Sequence, residues 1–194
     1  MRAAAPGRIG PNALLQLAPV LERAGGVGLR EAIFAAGGVQ GLPGLDAMIP
    51  EGPVAAVHQA LRARLPDRAA ELAAEAGAGT ADYILANRIP KPAQTLLRHL
   101  PRALSGPLLA RAIAANAWTF AGSGGFRVVS TRPMVFQIAD NPVVRGEVAA
   151  RPVCHWHSAV FAGLFAALVD PRSRVTETTC CACGAPACRF EVRW

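Results

Sequence analysis

Apolar residues in the first 120 positions recur at helical spacing. Leu14, Leu15, Leu17, Val20 and Leu21 form one stripe, with Asn12 placed to cap it and Gly25-Gly26 to stop it. A short helix over 29–36 follows, ended by Gly37-Gly38. Residues 39–53 (VQGLPGLDAMIPEGP) are too rich in glycine and proline to hold a regular element. Pro53 suits a first helical position, and Val54, Val57, Leu61 and Leu65 carry that helix to Pro66. Asp67 is placed to cap the next one, whose pattern breaks at Gly77-Ala78-Gly79 and resumes at Tyr83, Ile84 and Leu85. Pro90 and Pro92 bracket a further break, and short helices are predicted over 93–100 and 107–120.

The period changes after Gly122-Ser123-Gly124-Gly125. FRVVS (126–130) and MVFQIAD (134–140) read as strands about a turn at 131–133. Asn141-Pro142 marks another turn, and VVRGEV reads as a loop or short strand. Residues 152–169 form an apolar helix stopped by Asp170-Pro171, with Trp156, Val160, Phe161, Leu164, Phe165 and Leu168 covering most of its circumference. Residues 174–179 and 189–194 are the last two strands, with a cysteine-rich turn between them. This order predicts an α+β fold: an antiparallel sheet of four to five strands packed on helices, with a helical N-terminal half. The style divides the chain into a helical region, 1–105, and a second region, 106–194, which together are short enough to form one compact unit.

Charge widens the choice of partner and pattern narrows it. The formal net charge is +7, nearly all the basic residues are arginine, and Lys91 is the single lysine. Such a balance suits nucleic acid, an anionic membrane surface or an acidic small molecule. The basic residues are scattered singly without interleaved aromatics, which argues against nucleic acid. Hydrophobic residues make up 52% of the chain. Even so, the uncharged stretch 152–169 falls just short of a bilayer span and carries Cys154, His155, His157 and Ser158, so a buried helix is expected rather than a membrane segment. Residues 1–11 lack the apolar core of a secretory signal. The expected setting is cytoplasmic and reducing, where clustered cysteines bind metal or do redox chemistry more often than they form disulfides.

The cysteines carry the chemistry. Four of the five fall in the last fifteen residues, and Cys154 stands before the apolar helix. With the acid between them they give Cys154-x22-Glu177-x2-Cys180-x7-Cys188, three soft thiolates and a carboxylate suited to tetrahedral zinc. Folding the terminal hairpin against the helix N-terminus can bring these four together. An alternative set is Cys180, Cys183 and Cys188 with His155 or His157, and the vicinal Cys180-Cys181 pair leaves a redox role open. The plain reading is ordinary thiols beside a solvated Glu177. Four protein ligands leave no open position, so such a site is structural rather than hydrolytic.

The runs ADNPVVRG, ARPVCHWHSAVFAGLFAALVD and VTETTCCACGAPACRFEV, with IGPNALLQL near the start, resemble the 4-vinyl-reductase domain family. The likeness spans most of the chain and is strongest from Asp140 onward. The resemblance implies an α/β plait like that of the small subunits of the TRAPP tethering complex, often dimeric, with an apolar small-molecule pocket in the 106–194 region. The sensor domains of phenol-responsive activators are similar, and in them three cysteines and a glutamate bind zinc. Their spacing corresponds to Cys154, Glu177, Cys180 and Cys188 here, while Cys181 and Cys183 are additional to that pattern.

The resemblance also implies work in bacteriochlorophyll synthesis, in three versions. The first is a tetrapyrrole-binding accessory protein, located at or near photosynthetic membranes. It delivers a Mg-porphyrin or divinyl chlorophyllide precursor to enzymes such as magnesium chelatase. The second is the vinyl reductase of the family name. Gly122-x-Gly124-Gly125 follows a helix and precedes a strand, the reverse of a dinucleotide loop, so no nicotinamide or flavin site is legible. The third is a small-molecule sensor or assembly module. For a bound tetrapyrrole, Trp118, Phe120, Phe136 and Trp156 are candidate wall residues and His155 or His157 a candidate axial ligand, each with the plainer alternative of ordinary core. A homodimer is expected from the apolar helices of the N-terminal half.

Overall fold

The computed structural model describes residues 7–45 and 47–194. Its order is β1 (Arg8–Ile9), α1 (Asn12–Leu15), α2 (Leu17–Ala36), β2 (Ile49–Pro50), α3 (Glu51–Arg64), α4 (Ala69–Asn87), α5 (Lys91–His99), α6 (Arg102–Ala115), α7 (Trp118–Ala121), β3 (Gly125–Thr131), β4 (Met134–Ala139), α8 (His155–Leu168), β5 (Arg174–Thr179) and β6 (Ala187–Arg193). The four later strands form one antiparallel sheet in the order β3-β4-β6-β5, and β1 pairs with β2 in a separate two-stranded ribbon. This is the α+β architecture with a helical N-terminal half that the hydrophobic pattern predicts.

Alternation along the strands explains which face of the sheet is covered. Met134, Phe136 and Ile138 of β4 and Cys188, Phe190 and Val192 of β6 are buried on one face, against α8. Phe161 of α8 sits 5.0 Å from Phe136 and 5.4 Å from Phe190, ring centroid to centroid, and Phe165 stacks on Trp194 at 5.6 Å. These aromatic contacts add to the stabilisation that apolar burial supplies, about 1.5–3 kcal/mol for each large side chain taken out of water. Among the described residues one buried cluster runs from Ile9 to Val192, and residue 105, the end of the first predicted region, lies inside α6.

The opposite side of α8 packs on α4, and here small residues decide the geometry. A Cβ on Gly77 would strike the Trp156 carbonyl, and one on Gly163 would lie 2.6 Å from the Ala81 Cβ. The helices therefore approach closely only because both positions lack a side chain. This corrects the expected break at Gly77-Ala78-Gly79: α4 runs unbroken through it, because tertiary packing outweighs the helix-weakening tendency of glycine.

The Gly25-Gly26 stop itself holds: both residues leave the helical region, Gly26 with a left-handed φ of 80°, so α2 is two helical stretches that meet at a kink where the pair predicts the break. Smaller departures have local causes. Neither Asn12 nor Asp67 caps a helix: Pro11 and Arg68 hold those positions, and Asn12 Oδ1 instead accepts from Gln16. The 39–53 connector ends early, because Ile49–Pro50 pairs with Arg8–Ile9 and α3 starts at Glu51. Pro107 lies within α6 rather than opening a helix there. The VVRGEV segment is a loop that begins with the 3-10 turn Pro142–Val144.

Candidate metal centre and ligand cavity

The chain turns sharply where β5 meets β6. Cys181–Cys183 form a single 3-10 turn closed by Gly184, whose φ of 82° is readily adopted only by a residue without a Cβ. That turn sets Cys180 beside Cys188, and α8 brings Cys154 to them as its N-cap residue. Inward alternation on β5 carries Glu177 to the same point, and the register shift just after it, between Glu177 and Thr179, marks a bulge that re-aims the strand end.

The donor atoms of Cys154, Glu177, Cys180 and Cys188 all lie within 4.8 Å of one another. The three Sγ–Sγ distances are 3.5 Å (154–188), 3.8 Å (154–180) and 3.9 Å (180–188). Tetrahedral zinc with Zn–S bonds of ~2.3 Å sets its sulfurs about 3.8 Å apart. Glu177 Oε2 accepts from the Cys154 backbone N–H at 2.8 Å, and its buried Oε1 has no hydrogen-bond partner among the described residues. An unpartnered buried carboxylate oxygen costs free energy unless a cation or donor meets it, so the four residues fit a divalent ion. Glu177 is therefore not the solvated strand residue of the plain reading.

Electrostatics point the same way. Burial pushes the Glu177 carboxyl up to about 8. Hydrogen bonds to the neighbouring Cys180 and Cys188, with burial, raise the Cys154 thiol well above its ordinary value. Cys180, hydrogen-bonded by the Cys154 and Cys188 thiols, is driven toward thiolate. Four acids crowded out of water resist sharing negative charge, and a bound cation reverses that resistance. Two further donors address the sulfurs: Asn141 Nδ2 donates to Cys154 Sγ at 3.4 Å and the Cys181 N–H to Cys188 Sγ at 3.3 Å. Asn141 is buried and also takes the Val143 N–H on its Oδ1, which fixes its amide. Sequence reasoning misses Asn141, although its place in an Asn-Pro turn just ahead of Cys154 is an available signal.

The remaining cysteines and histidines are elsewhere. Cys183 is exposed, and Cys181 is half-buried with its thiol directed to the Ile138 carbonyl. His155 is half-buried, and burial followed by the charges of Arg62 and Arg151 lowers its pKa. His157 is fully buried among Phe120, Phe161, Phe190 and Trp156, with Nε2 3.2 Å from the Phe120 carbonyl. Burial lowers it to about 4, so it stays neutral.

On the far side of α8 lies a cavity of about 450 Å³, within the usual range for small-molecule sites. Its apolar walls come from Ile84, Ile89, Leu109, Ile113, Val160 and Leu164, with Trp118, Phe120 and Trp156 from the predicted wall set. Asn12, Asn116, Thr119 and Arg88 supply polar groups. Phe136, His155 and His157 do not line it: Phe136 is spent on the sheet core and His157 on the aromatic cluster. The cavity and the cysteine cluster share one short segment. Trp156, two residues beyond Cys154, donates from Nε1 to Thr80 Oγ1 at 3.2 Å, and both residues line the wall.

A second polar knot closes the N-terminal ribbon over this region. Buried Glu51 pairs with Arg145 at 2.8 Å and accepts from Ser123 Oγ at 2.7 Å, while Arg145 also holds Asp140 at 2.9 Å. Burial alone would raise the Glu51 carboxyl, but the Ser123 and Arg145 hydrogen bonds outweigh it and hold the group below its ordinary value.

A helical half, a four-stranded sheet and a terminal cysteine–glutamate cluster define the class: residues 134–194 match the V-4-R (4-vinyl-reductase) domain family. Over 186 residues the sequence is 58% identical to the bacteriochlorophyll synthase 23 kDa chain of Cereibacter sphaeroides, spanning 95% of this chain and 90% of that one. It is 48% identical over 183 residues to the protein of that name from Rhodobacter capsulatus, spanning 94% and 85%. This chain belongs to the 4-vinyl-reductase domain family, in agreement with the resemblance of its C-terminal motifs. Two solved structures share its fold. An H-NOX protein from S. oneidensis in the Fe(II)NO ligation state matches with TM-score 0.55 and 11% identity, covering 95% of this chain and 98% of that one. A point mutant of an unliganded Fe(II) H-NOX protein from K. algicida matches with TM-score 0.58 and 12% identity, covering 95% and 96%.

Proposed function

We propose that the protein serves bacteriochlorophyll synthesis as a carrier, holding a tetrapyrrole intermediate in the cavity beside α8 and passing it to enzymes of the pathway, magnesium chelatase among them. Its relatives, named as bacteriochlorophyll synthase chains, support the pathway. The observation that carries the binding role is the cavity itself: apolar walls with Trp118, Phe120 and Trp156, and a few polar groups including Arg88. An apolar macrocycle with carboxylate arms fits that division, since arginine pairs bidentately with carboxylates. Cys154, Glu177, Cys180 and Cys188 would hold a structural zinc ion, tying the N-terminus of α8 to the β5–β6 hairpin. That tie fixes Trp156, so the metal acts on the ligand through the cavity wall. The protein is read as working as a homodimer in the cytoplasm. No helix among the described residues is long and apolar enough to cross a membrane.

Absorbance titration of purified protein with Mg-protoporphyrin tests the carrier reading. The expected result is a shifted Soret band and quenched fluorescence at micromolar concentrations. No change at those concentrations refutes it. Turnover of a divinyl substrate with NADPH and no second protein would replace the carrier with the reductase.

A further inference from the structure

The formal charge of +7 is not spread over the chain. Between Asp82 and Asp140 there is no acidic residue, while Arg88, Lys91, Arg98, Arg102, Arg111, Arg127 and Arg132 fall there, so this stretch accounts for the whole excess. The rest of the chain is balanced. The stretch contains α5 and α6, and those two helices carry the exposed leucines Leu96, Leu104 and Leu108.

On α6 the exposed and buried positions separate cleanly. Leu104, Leu108 and Arg111, spaced i, i+4, i+7, lie on the outer face, with Leu104 55% and Leu108 48% exposed. Ser105, Leu109, Ala110 and Ile113 are buried on the other, and Leu109 and Ile113 also wall the cavity. A helix apolar on both faces needs cover on both. In the same stretch of chain, Leu96 of α5 is 58% exposed and Trp118 of α7, which also lines the cavity, is 56% exposed. Lys91, Arg98, Arg102 and Arg111 alternate with these apolar residues along the chain and are all exposed, Arg98 with its guanidinium donating to the Ala167 carbonyl at 3.1 Å and to Gln94 Oε1 at 3.3 Å. Arg102 reaches Asp170 at 2.6 Å, but Arg172 shares that carboxylate at 3.1 Å, so the contact leaves the region net positive.

We infer that this α5–α6 face docks the protein on an anionic phospholipid surface. Exposed leucines and a tryptophan among basic side chains are the composition that seats a helix at a lipid headgroup boundary, where apolar burial and attraction to anionic lipid act together. Two alternatives fit less well. A second copy on a two-fold axis would bring two net positive faces together, and like charges in apposition oppose association. Single-stranded nucleic acid would call for aromatic platforms along a basic groove, whereas this face is mainly leucine. Docking in this orientation lays one wall of the cavity against the membrane. The inference does not depend on which molecule fills that cavity.

Co-sedimentation with lipid vesicles tests it, using the full chain. The wild type is expected to sediment with phosphatidylcholine vesicles containing phosphatidylglycerol, not with phosphatidylcholine alone, and to be released by high salt. Each surface charge contributes about fivefold to affinity, so Lys91→Gln with Arg111→Gln should weaken binding about twenty-fivefold. Leu104→Ser with Leu108→Ser should weaken it at every salt concentration. All four positions are exposed, and unchanged circular dichroism and urea midpoint will confirm that the variants fold. Failure of the wild type to sediment with anionic vesicles overturns the inference, as does equal binding by the variants. So does a wild-type dimer that the leucine pair dissociates while vesicles bind nothing, which would assign the face to a second copy. Capture by an acidic polypeptide but not by vesicles would assign it to a protein and equally overturn it.

Discussion

Gly77 and Gly79 stand two residues apart on one helix, yet alanine should have opposite effects at them. At Gly77 the new Cβ would run into the Trp156 carbonyl and lie 2.8 Å from the Ala159 Cβ. Carbon atoms in ordinary contact are about 3.5–4.0 Å apart, so α4 and α8 would have to separate by roughly 1 Å. The obstacle is backbone and cannot rotate away. Overpacking of this kind costs about 1–3 kcal/mol, and the improved helix propensity returns about 1 kcal/mol. With a backbone atom in the way the upper end applies, so Gly77→Ala should lose about 2 kcal/mol. At Gly79 the nearest atom is Gln16 Oε1 at 3.2 Å, the tip of a flexible side chain. Gly79→Ala should therefore gain up to about 1 kcal/mol. Urea unfolding of the three proteins measures this, with equal m-values confirming that only stability changed. Because Trp156 also walls the cavity, Gly77→Ala should weaken ligand binding as well. If Gly77→Ala is as stable as the wild type, or if Gly79→Ala loses more, the close-packing account of α4 and α8 is wrong.

Three further outcomes are expected. Purified protein should carry about one zinc per chain, lost in Cys188→Ser. Chelation should lower the unfolding midpoint, since an ion at a hundredfold excess over its Kd stabilises by about 2.7 kcal/mol; unchanged zinc in Cys188→Ser would remove that thiol from the site. Acid should destabilise the fold below the usual histidine range. His58 and His157 are fully buried, and burial holds them at about 3 and about 4. The unfolded chain therefore takes up their protons from about pH 6.5 downward while the folded chain does not, so stability falls as pH drops toward 4, by up to about 1.4 kcal/mol per pH unit for each histidine. Urea midpoints at pH 7 and 5 test this, and a flat profile would contradict it. Glu51→Gln should cost about 1–3 kcal/mol by weakening its hydrogen bonds to Arg145 and Ser123, read in the same assay.

Much of the C-terminal third is legible in the sequence because its signals are local. Alternation along 134–140 and 189–194, the Asp170-Pro171 stop and the spacing of Cys154, Glu177, Cys180 and Cys188 each specify their own element. The cavity is legible only in part. Trp118, Phe120 and Trp156, candidate wall residues in the sequence as large aromatics, do line it. Ile84, Ile89, Leu109 and Ile113 are not legible as wall residues, since an apolar stripe on a helix has the same pattern whether the space opposite is filled or open. Phe136 and His157 show the converse error: the aromatic types are right for a wall, but neighbouring rings fill the space around them. The β1–β2 ribbon escapes because two-residue strands have no period to detect, and its Glu51 lock depends on Ser123 and Arg145, far away in sequence. Gly77 misleads because a glycine that permits helix–helix contact and a glycine that ends a helix are the same letter.

Under the carrier role proposed above, the space between α4, α6 and α8 receives the tetrapyrrole. Ala112 lines that space from α6 and is itself exposed, so Ala112→Trp fills the cavity without entering the sheet core. The most direct measurement is the Mg-protoporphyrin affinity of this variant beside the wild type, each confirmed folded by circular dichroism. The account expects wild-type binding in the micromolar range or tighter and at least about a tenfold loss in the variant, equivalent to about 1.4 kcal/mol. Equal affinity in the two proteins would place the ligand elsewhere and contradict it.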